Sequence, residues 1–204
     1  MARIIDFKIP RSIGAALRLP ENDKRSQQLR VLKKLLKKAR FTEFGQHYRF
    51  DEILFSKHVG KAFQQGVPVH DYIKIYEDWW KKTLDGVPDV SWPGKIKYYA
   101  LSSGTSDAAS KYIPVTQDML RSNRVNYIRQ LISLLSYERL PRNAVTKGFL
   151  MLGGATDLQK GEAGWYSGDL SGILAKNRPF WFQTFYKPGG RIARIKDWNA
   201  KLNE

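Results

Sequence analysis

The most informative stretch of the sequence is Ser102-Ser103-Gly104-Thr105-Ser106-Asp107-Ala108-Ala109-Ser110-Lys111. An apolar run, Ile96–Leu101, precedes it and Tyr112–Val115 follows, so the pattern predicts a strand, a hydroxyl-rich loop and a second strand. Such a loop can direct backbone N–H groups and hydroxyls at one anion, with the Lys111 ammonium as a point charge nearby. Its glycine lets the main chain approach a ligand closely. The stretch therefore favours binding of a polyphosphate such as that of ATP, and an ordinary polar surface hairpin is the alternative.

The spacing of this loop differs from that of the common nucleotide-binding motifs. In the Walker pattern the first glycine is followed by four residues and then by a Gly-Lys-Ser/Thr segment that opens a helix. Here Lys111 stands seven positions after Gly104 and opens a predicted strand instead. The loop also lacks the G-x-G-x-x-G pattern of dinucleotide-binding folds.

Three stretches of the chain carry a resemblance to a known family. The Ser-Ser-Gly-Thr-Ser run followed by a lysine resembles the phosphate loop of the adenylate-forming enzymes, and its continuation Lys111–Thr116 narrows the resemblance to one branch. The segments Thr42–Gly45 and Val67–Tyr72 are typical of the same branch. From about Leu29 to its end, the chain resembles the Gretchen-Hagen, or auxin-responsive promoter, family of acyl acid amido synthetases.

Composition limits the kinds of partner and chemistry. The 204 residues include 35 Lys and Arg against 19 Asp and Glu, and the net charge of +16 indicates anionic partners or substrates. No cysteine is present, which excludes disulfides, thiolate metal sites and a thiol nucleophile, and the three histidines lack metal-ligand spacing. No apolar run approaches the roughly 18 residues of a membrane helix, and no secretory signal is visible. We therefore expect a cytoplasmic protein without a membrane partner.

Apolar periodicity predicts the main helices. The predicted helices are Ser26–Ala39, Phe50–Phe63, the segment from Tyr72 through Trp80, the segment from Thr116 to about Ser136, and Ile195–Leu202. The first should bury Leu29, Leu32, Leu35, Leu36 and Ala39, and Gly45 is expected to mark its end. The long fourth helix should bury Leu120, Val125, Tyr127, Ile128, Leu131, Ile132 and Leu135. A further strand is expected over Gly148–Leu152, and 157–163 is expected to be a loop.

Two surfaces leave the type of partner open. The first helix carries a basic face made of Lys33, Lys34, Lys37, Lys38 and Arg40, which could bind phosphate backbones or an acidic membrane, or could simply be solvated. The later aromatic stripe of Tyr72, Ile75, Tyr76, Trp79 and Trp80 could stack on nucleic-acid bases or belong to the core. A basic nucleic-acid-binding module without catalysis is therefore the alternative function, whereas the resemblance argues against nucleic acid as a partner.

The resemblance implies a fold and a domain division. It implies an α/β fold in which helices pack on a mixed sheet, as in the N-terminal part of the large, firefly-luciferase-like domain of adenylate-forming enzymes. Residues 26–204 would be that part, after a lead segment of residues 1–25. Because family members are much longer, the chain looks truncated, and the resemblance implies a C-terminal remainder of the same enzyme as a partner.

The resemblance also implies a ligase. ATP, with Mg²⁺, would convert a small carboxylic acid into an acyl-adenylate, and an amino acid would then displace AMP to form an amide. The implied phosphate-binding residues are Ser102, Ser103, Gly104, Thr105, Ser106 and Lys111. No residue is expected to act as a covalent nucleophile, general base or metal ligand. The fragment is expected to be inactive alone.

Residues for the acyl substrate follow from the resemblance as well. The family carries a Tyr and, one turn later, an Arg on the helix after the loop; Tyr127 matches the Tyr, but Gln130 falls at the Arg position, with Arg129 beside it. A later segment that lines the acyl pocket in the family corresponds to Tyr166 and Ser167, which a simple turn into a helix would also explain. The loop itself departs from the family, which usually has a glycine where this chain has Asp107-Ala108-Ala109.

Overall fold

The structure is a computed structural model that describes residues 24–102, 111–135 and 148–204. The helices are Lys24–Ala39 (α1), Glu43–His47 (α2), Phe50–Phe55 (α3), Val59–Gly66 (α4), Tyr72–Ile75 (α5), Lys81–Leu84 (α6), Gln117–Leu135 (α7), Leu170–Lys176 (α8), Gly190–Ala193 (α9) and Trp198–Leu202 (α10). A π-helical turn, Tyr76–Trp80, joins α5 to α6, and Phe180–Phe185 forms a 3₁₀ helix. The strands are Tyr98–Ser102 (β1), Lys111–Val115 (β2), Phe149–Leu150 (β3), Gln159–Lys160 (β4), Tyr166–Gly168 (β5) and Tyr186–Lys187 (β6).

The described strands form one mixed sheet and one small pair. The sheet has the order β2-β1-β5-β4, in which β1 pairs antiparallel with β2 and parallel with β5, and β4 pairs antiparallel with β5. The pair joins β3 and β6 in parallel. Helices pack against the sheet, so the α/β class predicted from the sequence is confirmed.

Strand β1 is buried on both faces. Tyr98 and Ala100 point into a core cluster with Val115 of β2, Leu120 of α7 and Ile173 of α8. On the opposite face Tyr99 is fully buried, and its ring packs against the rings of Tyr112 and Trp165. A strand covered on both faces is characteristic of the centre of an α/β sheet.

A second core lies among the N-terminal helices. It consists of Leu36 and Ala39 of α1, Phe50 and Ile53 of α3, and Val59 of α4. The predicted inward stripe of α1 is confirmed for Leu29, Leu32, Leu36 and Ala39. It is wrong for Leu35, which is 46% exposed and lies on the wall of an open cleft that Trp80 and Met119 also line.

The end of α1 is set by Thr42 and not, as predicted, by Gly45. The Thr42 hydroxyl donates to Ala39 O at 2.7 Å, and it accepts the N–H of Gly45 at 3.1 Å, so it caps the end of α1 and the start of α2 together. Gly45 lies inside α2, where a Cβ would stand 2.1 Å from Ala39 O. The glycine is therefore required for close approach of the two helices.

Three other predicted elements are corrected by local hydrogen bonds. The single helix predicted over Phe50–Phe63 is divided into α3 and α4, because the Ser56 hydroxyl and N–H both turn back to Ile53 O. Helix α10 begins at Trp198, because the Asp197 carboxylate caps it by accepting the Ala200 N–H at 2.8 Å. The strand predicted over Gly148–Leu152 is limited to β3, and the predicted loop of residues 157–163 contains β4.

Helix α7 is less buried than its periodicity predicts. Leu120 is buried and Ile128 is partly buried, whereas Val125 and Tyr127 are exposed. Its first turn agrees with the prediction, because Thr116 Oγ1 accepts the Met119 N–H at 3.1 Å. Val125 and Tyr127 are therefore not covered by the described residues.

The aromatic stripe from Tyr72 to Trp80 turns mainly inward. Trp79 is buried and meets the rings of Phe44, His47 and Tyr48 at centroid distances of 5.0–6.1 Å. The core interpretation of this stripe is thus confirmed at Trp79, which is unavailable for stacking on nucleic-acid bases. Among the described residues, no helix combines the length and the apolar character needed to cross a lipid bilayer.

Candidate functional site

The ends of the hydroxyl-rich segment are brought together by the sheet. Ser102 at the end of β1 stands opposite Lys111 at the start of β2 in the antiparallel register. The other predicted phosphate-binding residues, Ser103, Gly104, Thr105 and Ser106, lie outside the described residues. The predicted strand–loop–strand arrangement therefore holds at both of its described ends.

Lys111 is supported by Tyr72. The Lys111 ammonium lies 5.1 Å from the centroid of the Tyr72 ring, within the range of a cation–π contact. The Tyr72 hydroxyl accepts the backbone N–H of Tyr112 at 2.9 Å. Lys111 is exposed and forms no ion pair with a described residue. Its charge is thus positioned where the described structure resumes after the segment, beside the Tyr72 ring.

The helices from α5 to α6 anchor the sheet through a relay of hydroxyls. Tyr99 OH donates to Thr83 Oγ1 at 2.7 Å, and Thr83 Oγ1 donates to Trp80 O at 2.6 Å. Burial raises the pKa of Tyr99 to about 12, so this phenol stays protonated as the donor at neutral pH. Trp165 Nε1 donates to Leu84 O at 2.8 Å and fixes the same helix to the start of β5.

A cavity of about 440 Å³ lies between α7, α8 and the 3₁₀ helix. Its size is within the range of small-molecule sites. Most of its lining is apolar or aromatic and comes from Leu120, Ile128, Met151, Leu152, Leu170, Leu174, Ala175, Pro179, Phe182 and Tyr186. Such a lining suits the apolar body of a ligand.

The cavity adjoins the sheet edge that carries Ser102. Strands β1 and β5 run parallel with Ala100 opposite Gly168, so their carboxyl ends lie at one edge. Helix α8 begins two residues after Gly168, and its first residues, Leu170 and Ser171, line the cavity. Ligand sites of open α/β sheets commonly lie at this edge.

One wall of the cavity is built from backbone near Gly153. The Gly154 N–H donates to Ser171 Oγ at 2.8 Å, and the buried Lys201 ammonium donates to Gly153 O at 2.9 Å. The opposite end holds two cationic side chains, Arg124 of α7 and Arg178 after α8. None of the described residues that line the cavity is acidic.

The residues predicted for the acyl substrate are only partly brought together. Tyr127 lines the cavity, whereas Arg129 and Gln130 are exposed on α7 and are not among the described lining residues. Ser167 is buried within β5. Tyr166 packs beside Tyr98, and the Lys176 ammonium lies 5.0 Å from the centroid of the Tyr166 ring. Neither Tyr166 nor Ser167 reaches the cavity in the described structure.

Sequence reasoning missed the two arginines that do line the cavity. Arg124 precedes Tyr127 by three residues, so helical geometry places both on one face, and this spacing could have identified it. Arg178 carries no comparable signal, because it reaches the cavity only through the fold of the chain after α8. Among the described residues, no group of three His, Cys, Asp or Glu side chains is placed to hold a metal ion.

The fold and the site define an α/β domain with a largely apolar cavity near the carboxyl ends of its central strands. The family model for the GH3 family N-terminal domain matches residues 17–203, and the chain belongs to this family. A comparison with curated proteins gave no match.

Two solved structures have a similar fold. One is GH3.15 acyl acid amido synthetase, with 21% identity and a TM-score of 0.68 over 94% of this chain and 32% of that chain. The other is AtGH3.15 acyl acid amido synthetase in complex with 2,4-DB, with 22% identity and a TM-score of 0.62 over 86% of this chain and 30% of that chain. The chain therefore spans about a third of the length of these structures.

Proposed function

We propose that this chain is the N-terminal part of an ATP-dependent acyl acid amido synthetase. Membership of the GH3 family supports this proposal, as does the fold shared with two solved structures of an acyl acid amido synthetase. The observation that carries it is the position of an apolar cavity beside the sheet edge at which Ser102 and Lys111 face each other. An acid in the cavity and a polyphosphate at the strand ends would then be neighbours.

The proposed reaction has two steps. A carboxylate oxygen of the acid attacks the α-phosphorus of ATP, the bond from that phosphorus to the bridging oxygen breaks, and pyrophosphate leaves. The amine of an amino acid then attacks the acyl carbon, AMP leaves, and an amide forms. Both steps depend on holding reactants in line while charge is redistributed, which is a task for positioned donors and cations.

The phosphate contacts are assigned to Ser102, Ser103, Gly104, Thr105, Ser106 and Lys111. The described part of this set fits the role, because Lys111 is exposed, carries no carboxylate partner among the described residues and rests on the Tyr72 ring. Mg²⁺ would arrive bound to the nucleotide and offset the charge of its phosphates. We assign the adenine and ribose contacts to the C-terminal remainder of the enzyme.

The acyl acid is assigned to the cavity that Tyr127 lines. Apolar walls formed by residues such as Leu152 and Leu174 suit the hydrocarbon body of an acid. The structure of the relative with 2,4-DB supports a small acid as the type of ligand. Arg129, Gln130, Tyr166 and Ser167 enter this proposal only as residues that the resemblance implies.

Calorimetric titration of the full-length enzyme with MgATP tests the phosphate site. We expect Lys111→Met to weaken MgATP binding about tenfold or more, because it removes a positioned charge worth at least 1.4 kcal/mol. Lys95→Met is the matched control, since Lys95 is also exposed but lies before β1, at the other end of the strand from Ser102. Equal MgATP affinity in the wild type and the Lys111→Met variant would contradict the assignment.

A further inference from the structure

Helix α1 carries a charged surface that the proposed function does not use. Its 16 residues include seven Lys or Arg and no Asp or Glu. One cation of the predicted basic face, Lys38, instead pairs with Asp118 at 2.5 Å. The others recur at intervals of three and four residues and therefore share one side of the helix. They are Arg30, Lys33, Lys34 and Lys37, with Arg40 directly after the helix, and we call these five residues the basic stripe.

Little negative charge offsets the basic stripe. Its four members within α1 are exposed and form no ion pair with a described residue. Arg40 is the exception, because its Nη1 lies 3.6 Å from Asp51 Oδ1. Like charges three and four residues apart destabilise a helix. An anionic partner lying along the stripe would relieve this repulsion.

Two exposed aromatic rings lie beside the end of the stripe. Phe41 is 67% exposed and Phe55 is 88% exposed. The Arg40 guanidinium carbon lies 4.4 Å from the centroid of the Phe41 ring. The carboxylate that pairs with Arg40, Asp51, lies one turn before Phe55 on α3. Cations beside aromatic side chains are characteristic of surfaces that lie on anionic bilayers.

The shape of this surface favours a bilayer over a nucleic acid. Sites for single-stranded nucleic acid combine stacking rings with a basic groove that follows the backbone. Leu35, which lines the open cleft, stands two residues from both Lys33 and Lys37, and is therefore about 160° around the helix from each. The stripe thus faces away from that cleft. A flat anionic surface can contact a convex helix along the stripe, which is about 15 Å long.

We infer that the basic stripe, together with Phe41 and Phe55, docks the enzyme on the surface of an anionic phospholipid bilayer. Lipid phosphates lie against the stripe, and the rings enter the interface between headgroups and acyl chains. This association is peripheral and involves no spanning helix. It replaces the expectation of no membrane partner, and it is independent of the ATP and acid sites.

The experiment measures co-sedimentation of the full-length enzyme with vesicles of equal parts phosphatidylglycerol and phosphatidylcholine. Vesicles of phosphatidylcholine alone test the need for negative charge, and the single-stranded DNA poly(dT) tests the alternative partner. The stripe variant is Lys33→Gln, Lys34→Gln and Lys37→Gln combined. Its matched control replaces three exposed lysines of other segments by Gln, namely Lys95, Lys160 and Lys187.

A second pair of variants tests the rings. Phe55→Ser removes an exposed ring beside the stripe, and Phe180→Ser removes one that is 83% exposed on the 3₁₀ helix. Circular dichroism confirms that each variant is folded. Pyrophosphate exchange by the stripe variant should equal that of the wild type, because no residue of the stripe is assigned to the reaction.

We expect the wild type to bind the anionic vesicles and not the neutral ones. Each cation at an anionic bilayer raises the partition coefficient about fivefold, so the stripe variant should lose about a hundredfold and its control about threefold or less. Phe55→Ser should bind about fivefold more weakly, and Phe180→Ser should bind as the wild type does. Added salt should weaken binding, because it shortens the screening length.

Several results would overturn the inference. They are failure of the wild type to bind anionic vesicles, equal binding to neutral vesicles, and equal losses in a variant and its matched control. Tighter binding to poly(dT) than to the vesicles would assign the stripe to nucleic acid instead. None of these results bears on the proposed ligase activity, which pyrophosphate exchange measures separately.

Discussion

At the scale of single residues, Gly45 shows how one missing side chain fixes the packing of two helices. Its backbone passes so close to the end of α1 that a Cβ would lie 2.1 Å from Ala39 O. Thr42, which is almost fully buried, occupies the remaining space and satisfies both helix ends. The N-terminal helical layer therefore depends on this pair of small residues.

Gly45→Ala should destabilise the protein. The new methyl group must displace backbone atoms of Ala39 and Arg40, and overpacking of this kind costs about 1–3 kcal/mol. Gly60→Ala is the matched control, because the nearest atom to its added Cβ is Leu29 Cδ1 at 3.9 Å and alanine favours the helix. Urea unfolding measures both variants, and equal stability of the two would contradict this account of Gly45.

Tyr72 is the residue that connects the helical layer to the proposed phosphate site. Tyr72→Phe keeps the ring under Lys111 but removes the acceptor for the Tyr112 N–H. We expect a loss of about 1 kcal/mol in the free energy of unfolding, with faster hydrogen exchange at the Tyr112 amide. Tyr76→Phe removes a hydroxyl from the neighbouring stacked ring and serves as the control. Unchanged exchange at Tyr112 in Tyr72→Phe would show that this hydrogen bond is unimportant.

At the scale of elements, α1 and α7 are fastened together through Asp118. The Asp118 carboxylate meets the Lys38 ammonium at 2.5 Å and accepts the Trp92 Nε1–H at 3.0 Å. The hydrogen bond from Lys38, followed by that from Trp92, lowers the pKa of Asp118 below its ordinary value. Because the folded-state pKa is depressed, the stabilisation is complete above the unfolded-state pKa, about 3.9, and is lost as the pH falls through the folded value.

Asp118→Asn should make the free energy of unfolding less dependent on pH in that window. We expect the difference in unfolding free energy between wild type and variant to shrink as the pH falls below about 4. Lys38→Met breaks the same pair from its other end, so the double variant should add little to either single change. Additive effects in this double-mutant cycle, measured by urea unfolding at pH 3 and pH 7, would contradict the proposed link between α1 and α7.

The elements that could be predicted from sequence are those fixed by local signals. Helix α1 was predicted to within two residues because its apolar spacing is regular, and Thr116 marked the start of α7 through its side chain. Leu35 was misplaced because helical spacing cannot distinguish a core from the wall of an open cleft. The pairing of β3 with β6 depends on residues 37 positions apart, for which the sequence holds no local signal.

The candidate site, like the fold, has a part that could be predicted from the sequence and a part that could not. The strand ends at Ser102 and Lys111 were predictable because the two strands are neighbours in sequence and pair as a hairpin. The cavity was not, because it forms between α7 and the pair of α8 and the 3₁₀ helix, and α7 ends at Leu135, far before α8 begins at Leu170. Arg178 in particular acquires its position from Tyr186 and Ala175, through contacts that exist only after folding.

At the scale of the whole molecule, the chain is an α/β domain of the GH3 family that covers about a third of the length of two similar structures. Its net charge of +16 suits a protein that handles a polyphosphate and an acid. Apolar and aromatic side chains on α7, including Val125 and Tyr127, remain exposed. We propose that the C-terminal remainder of the enzyme covers this side and completes the site.

Acid-dependent exchange of pyrophosphate into ATP, measured on the full-length enzyme, tests the central proposal most directly. The account predicts that exchange requires a carboxylic acid, does not occur with the matching amide, and is abolished by both Gly104→Val and Thr105→Ala. Exchange that proceeds without an acid, or that is undiminished in both variants, would contradict it.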